Sequence, residues 1–306
     1  MKQNILKKTR VFVAAVFFIF TTFIFIDFNN SFPGRLIDTI TWLQFVPSLI
    51  SFLYFLSFSA IGFILILLLT LIFGRAYCST ICPLGTLQDI NSRIFQVFRK
   101  KRRRFHYKKP KNILRFSILS ALIIAMLFGS ILLLNLLDPF SNFGKIASNL
   151  FRPVIMYANN AIAWVLELSD NYSVPPVGVK GFQWLSMLYA GIFLLTIIIM
   201  SAKRGRLFCN TICPVGSLLG IVSKYSLFRI ELDKQKCNSC GLCSMDCKAG
   251  CIDSENKTVD MSRCVLCFNC LGSCKSNGVY FRLNKKRTAV EPKNIPNQNR
   301  RFILGG

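Results

Sequence analysis

Histidine is almost absent from these 306 residues: His106 is the only one, and acidic residues number 13 against 38 lysines and arginines. One histidine cannot furnish the paired axial ligands of a membrane haem b, so that cofactor is excluded. His106 itself stands among lysines and reads as their solvated neighbour rather than a ligand. The shortage of acid leaves a net charge of +25, which in a water-soluble chain would point to nucleic acid. Solubility is excluded in turn by long runs without charge, in a chain that is 53% hydrophobic.

Four runs qualify as membrane spans: Val11–Ile26, Leu49–Phe73, Ile113–Leu137 and Phe182–Ala202. The first follows Lys7, Lys8 and Arg10 as a signal peptide would. It is followed by Asp27-Phe28-Asn29 instead of a small-residue cleavage site, and so reads as an uncleaved span. Basic residues are distributed unevenly about these runs. Of the 38, 34 lie before the first span, from Gly74 to Arg115 at the start of the third, or after the fourth. By the positive-inside rule both termini and the Gly74–Lys111 loop are cytoplasmic, in a bacterial inner membrane, with the basic run from Arg99 to Lys111 against anionic headgroups rather than nucleic acid. Ile146–Leu168, interrupted by Arg152-Pro153 and Asn159-Asn160, reads as an interfacial or re-entrant helix on the outer side.

A repeat divides the apolar part. Gly74-Arg-Ala-Tyr-Cys78-Ser-Thr-Ile-Cys82-Pro83-Leu-Gly85 returns 131 residues later as Gly205-Arg-Leu-Phe-Cys209-Asn-Thr-Ile-Cys213-Pro214-Val-Gly216. Each copy follows the second span of a hairpin, so residues 1–225 read as a four-helix membrane domain built from two hairpin units. Proline in a first helical turn then opens a short helix after each pair, at the inner surface.

Nine of the 13 cysteines lie between Cys237 and Cys274. A cytoplasmic location excludes a disulfide framework. Eight form two identical C-x2-C-x2-C-x3-C runs, the spacing of two-cluster ferredoxins, in which the fourth cysteine of one run serves the other cluster. One [4Fe–4S] cluster is thereby assigned Cys237, Cys240, Cys243 and Cys274, the other Cys264, Cys267, Cys270 and Cys247. Zinc ribbons are the alternative, since C-x2-C pairs also suit tetrahedral zinc. The residue after each fourth cysteine is Lys248 or Lys275 where proline is usual, and Cys251 competes with Cys247 as ligand. Phe228–Leu232 and Val279–Leu283 read as a strand pair, and Ile252 to Val259 as a hairpin, giving a small α+β domain over 226–284. Cys78, Cys82, Cys209 and Cys213 form either buried structural thiols or an assembled site: a further cluster, a metal centre or a thiol–disulfide centre.

The two Gly-Arg-x-(Tyr/Phe)-Cys-x3-Cys-Pro motifs and the double ferredoxin run resemble the NapH/NosR group of membrane iron–sulfur proteins, most closely its NapH-type quinol dehydrogenase components. The resemblance covers nearly the whole chain. It implies electron transfer between the quinol pool and a ferredoxin-like or reductase partner. Asp27 and Asp138 at the outer ends of spans are the candidate proton acceptors for quinol, although Asp138 equally suits a helix cap. Reduction of a metal ion such as Cu(II) at the repeat thiols, or redox sensing, are the alternative functions. Lys285–Asn299 reads as a linker, and Arg300-Arg301 with the apolar residues after it resembles the opening of a twin-arginine signal.

Overall fold

A computed structural model describes residues 2–27, 32–55, 61–98, 105–170, 172–178 and 183–284. The basic run 99–104 and the tail 285–306, with its twin arginines, lie outside them.

The chain opens with α1 (Lys2–Ile26), followed by α2 (Gly34–Trp42), α3 (Phe45–Phe55) and α4 (Ile61–Phe73). Leu49–Phe73 is therefore not the single continuous span its composition predicts. The start of α3 folds back against the start of α4: the Ser48 hydroxyl accepts a hydrogen bond from the Phe63 amide at 2.8 Å, and the Phe45 and Phe52 rings meet Phe63. Ile113–Leu137 is broken as well, into α7 (Asn112–Leu127) and α8 (Leu132–Leu137). Gly129, at φ +77, takes the turn between them in a left-handed conformation that a side chain would disfavour. Among the described residues two helices, α1 and α11 (Trp184–Arg204), are long and apolar enough to cross a membrane.

Asp138 ends α8 and starts α9 (Pro139–Ile146), its carboxylate accepting from the amides of Phe140 and Ser141. A π-helical turn, Ala147–Phe151, leads into α10 (Arg152–Glu167), with Pro153 in its first turn. The segment expected to be interfacial is thus one nearly continuous helical stretch.

The remaining helices carry the motifs: α5 (Tyr77–Thr80) and α6 (Pro83–Phe98) in the first copy, α12 (Leu207–Thr211) and α13 (Pro214–Ser223) in the second. Both α6 and α13 start at proline, as predicted, but the first half of α6, from Pro83 to Asp89, is buried rather than laid on a surface.

Beyond α13 the strands form where alternation places them. β1 (Phe228–Leu232) pairs antiparallel with β4 (Val279–Leu283), from Phe228 opposite Leu283 to Leu232 opposite Val279. The hairpin β2 (Ile252–Asp253) and β3 (Thr258–Val259) turns on Asp253, whose Oδ1 accepts from the Glu255 and Asn256 amides, with Lys257 at φ +51. Helices α14 (Leu242–Met245) and α15 (Asn269–Ser273) complete this part. It is docked tightly: Phe228 stacks on Phe73 at 5.6 Å, the Leu227 amide donates to the Leu71 carbonyl, and the Ser223 hydroxyl to the Met261 carbonyl. Val265 and Cys267 belong to the same buried cluster as Cys78, Cys82, Cys209 and Cys213.

Candidate iron–sulfur centres

Each residue of the repeated motif has a physical reason. Gly74 and Gly205 end α4 and α11 at φ +87 and +63, so the chain can turn sharply into the cysteines. Pro83 and Pro214 start the following helices. At Gly85 a Cβ would lie 2.3 Å from the Cys78 carbonyl oxygen, and at Gly216 2.1 Å from that of Cys209; glycine lets each helix press on the preceding turn. The four thiols that result are only 2–4% exposed. Burial, reinforced by the neighbouring Cys209 and Cys78, pushes Cys82 upward, and Cys213 likewise.

The motif arginines cross between copies. Arg75 donates through Nη2 to the Cys209 carbonyl at 3.1 Å and to Cys78 Sγ at 3.8 Å, and through Nη1 to Asn210 Oδ1 at 2.8 Å. Arg206 returns the contact by donating to the Cys78 carbonyl. Gln88 Nε2 donates to Cys209 Sγ at 3.4 Å, and the Gly216 amide to Cys213 Sγ at 3.4 Å. Four dry soft donors with cationic and N–H partners fit an iron–sulfur cluster, whose net negative charge would otherwise be costly to bury.

Arg206 also forms a two-point ion pair with Asp89, at 3.0 and 2.8 Å. Arg10 from α1 joins at 2.7 Å, and Lys248, the residue standing where proline is usual, at 3.2 Å. Burial alone would push Asp89 up, but Arg206, Lys248 and Arg10 together outweigh it and hold the carboxyl well below the ordinary range. Sequence reasoning missed this hub. The signal was present: Asp89 is the only acid between Gly74 and Arg115, among twelve basic residues.

The two ferredoxin-type loops share an unusual backbone. The residues flanking the second cysteine of each run have positive φ: Ser239 (+55) and Gly241 (+75) in the first, Leu266 (+51) and Phe268 (+57) in the second. Three of these four are not glycine, and such residues adopt this conformation only where the surroundings demand it. A cluster held there would supply the demand, because such a turn exposes N–H groups to sulfur atoms. Burial and the adjacent thiols of Cys274, Cys237 and Cys240 raise Cys243 to about 11. Cys270, buried, has Cys267, Cys264 and Cys247 as near neighbours. Cys247 and Cys251 stand 3.5 Å apart, and hydrogen bonding to Cys251 and to backbone amides lowers Cys247 while Cys251 rises. Among the described residues no three His, Cys, Asp or Glu side chains stand together as a single-ion site.

The other candidates separate. Asp138, 3% exposed, is a helix cap and also lines a cavity of about 560 Å³ with Phe25, Val46, Ile50, Asn135 and Lys145. Asp27 does not line it; its carboxylate accepts from the Phe32 amide at 3.3 Å. His106 is exposed at the rim of a separate basic cavity.

Comparison with known proteins returns the same chemistry. A family described as a 4Fe-4S binding domain matches twice, at residues 55–105 and 186–234, one match on each copy of the motif. Two uncharacterized proteins of Methanocaldococcus jannaschii are similar: one is 38% identical over 84 residues, 28% of this chain, and the other 26% over 222 residues, 71% of it. The ferredoxin-type protein NapH of Escherichia coli is 25% identical over 211 residues, 66% of this chain. The chain spans 33%, 76% and 60% of these relatives. No solved structure matches it. The resemblance read from the motifs is borne out: in sequence the chain is similar to NapH-type ferredoxin-like membrane proteins, and it bears the 4Fe-4S binding domain in two copies.

Proposed function

We propose that the chain is a four-pass membrane protein that takes electrons from quinol and passes them to a redox partner, with both termini and the ferredoxin-type part cytoplasmic. α1, α4, α7 and α11 would be the crossings. The basic ends of α1 and α11, the start of α7 and the end of α4 meet beside the cysteine motifs, which supports one shared cytoplasmic face.

Cys237, Cys240, Cys243 and Cys274 would hold one [4Fe–4S] cluster, and Cys264, Cys267, Cys270 and Cys247 a second, with Cys251 as hydrogen-bond donor to Cys247. Cys78, Cys82, Cys209 and Cys213 would hold a third centre. When bound, the clusters supply one-electron acceptors and donors. The observation that carries the reading is that Cys267 packs in one buried core with the four repeat cysteines, so the ligand sets adjoin. Asp138 would take a proton from quinol in the cavity between α3 and α9, where Lys145 and Asn135 offer polar contacts and Phe25 and Ile50 receive the ring. Burial of the four repeat thiols keeps aqueous Cu(II) from them, so nothing favours metal-ion reduction at that site.

Purified anaerobically, the protein should hold about twelve iron atoms and show EPR signals that respond to a menaquinol analogue. Replacing Cys78 and Cys209 by Ser should remove about four of the irons while the ferredoxin-type signals remain. Full iron in that variant would remove the third centre, and no response to quinol in the intact protein would remove quinone.

A further inference from the structure

A second cavity, of about 230 Å³, has no place in the electron path. Lys108, Lys109, Lys111, Lys203, Arg204 and Arg263 line it, and among the described residues its lining includes no acid. Lys109, Lys203 and Arg204 are exposed, so like charges are gathered there without a counter-charge in the lining. Arg263 supplies an independent sign. It is 6% exposed and pairs through Nε with Asp260 at 2.7 Å and through Nη1 with the Lys108 carbonyl at 2.7 Å, yet its Nη2 is buried and has no acceptor among the described residues. A buried guanidinium N–H without a partner is costly, and an anionic oxygen entering the cavity would satisfy it.

The place of the cavity says which anion. It opens where α11 ends, at Lys203 and Arg204, and just before α7 begins, at Lys111. Immediately along these helices Ile113, Leu114 and Phe116 of α7 and Ile199 of α11 are exposed. An anion with apolar chains attached meets both surfaces, whereas a free anion uses only the first. We propose that this cavity is a binding site for the phosphate headgroup of an anionic phospholipid of the inner leaflet. Ala249 and Gly250, between Cys247 and Cys251, form part of its wall, so the headgroup would rest on the loop that follows the first ferredoxin-type run. The inference rests on the membrane orientation proposed above.

The test uses the full chain with its clusters, in detergent, titrated with short-chain phosphatidylglycerol, phosphatidylcholine or inorganic phosphate, with binding followed by calorimetry and iron content as the check on folding. Phosphatidylglycerol should bind on the order of tenfold more tightly than phosphatidylcholine, and the triple variant Lys109→Gln, Lys203→Gln, Arg204→Gln should lose that preference while keeping its iron. Equal binding of the two lipids, or a preference that survives in the variant, overturns the site. Inorganic phosphate displacing the lipid at similar concentration overturns the lipid as its ligand. Protein that stays dispersed without detergent would instead refute the membrane reading on which the inference rests, which separates the two failures.

Discussion

The two copies of the cysteine motif have the same backbone plan and different electrostatics. In both, a positive-φ glycine ends a helix, an arginine reaches across to the other copy's first cysteine carbonyl, and a proline starts the next helix. Arg206, however, meets a carboxylate, Asp89, which also gathers Arg10 and Lys248. Arg75 meets no carboxylate among the described residues: it donates to Asn210 Oδ1, to the carbonyls of Cys209 and Ser262 and to Cys78 Sγ. The counterpart of Asp89 at the same register is Gly220, where even a Cβ would lie 2.4 Å from Arg115 Nη2 and 2.6 Å from the Ser262 carbonyl. The ferredoxin-type part, docked on that side, fills the space a second acid would need. A duplicated motif thus fixes local geometry, while what packs upon each copy sets its charge.

The strongest way to break this contrast is Asp89→Ala. It leaves three buried cations without a counter-charge and should cost about 3–5 kcal/mol, read as a large fall in Tm with loss of iron. A change within the range of an ordinary surface substitution would mean that the hub does not join the two parts. Gly85→Ala and Gly216→Ala sharpen the other half of the contrast, because both copies make the same close approach. Each should cost about 1–3 kcal/mol by overpacking, and to a similar extent. Clearly unequal losses would show that the copies differ in backbone as well as in charge.

The smallest effect is with pH. The folded pKa of Asp89 is depressed, so its contribution to stability is complete above the ordinary carboxylate pKa of about 4 and is lost as pH falls toward the folded value. Asp89→Asn should flatten the part of the acid limb due to this group in a plot of Tm against pH, whereas Arg75→Gln, which has no carboxylate partner, should leave its slope unchanged. Equal slopes in the native protein and Asp89→Asn would contradict the assignment.

Local chemistry was legible in the sequence. Period-two alternation marked β1 and β4, Asn256-Lys257 marked the hairpin, and Pro83 and Pro214 marked the helix starts. Composition hid the breaks in the second and third apolar runs, because a run with scarcely a charge reads alike whether the helix continues or folds back. Gly129-Ser130 was the sole local sign in the third run. Asp138 was legible as both cap and candidate proton acceptor, and it occupies a cap position in the wall of a cavity. Lys248 was noticed only as a departure from the usual proline; its reach to Asp89 depends on contact across 159 positions of sequence.

By itself the sequence determined the cysteine spacings, the repeat, the apolar runs and the uneven charge, since each depends on neighbours a few residues apart or on composition. Only the tertiary structure decided that the four repeat thiols share a core with Cys267, that one acid serves three cations, and that Arg263 has an N–H with no acceptor among the described residues beside a basic cavity. Burial and long-range pairing create those properties, and neither is written in any single stretch of chain.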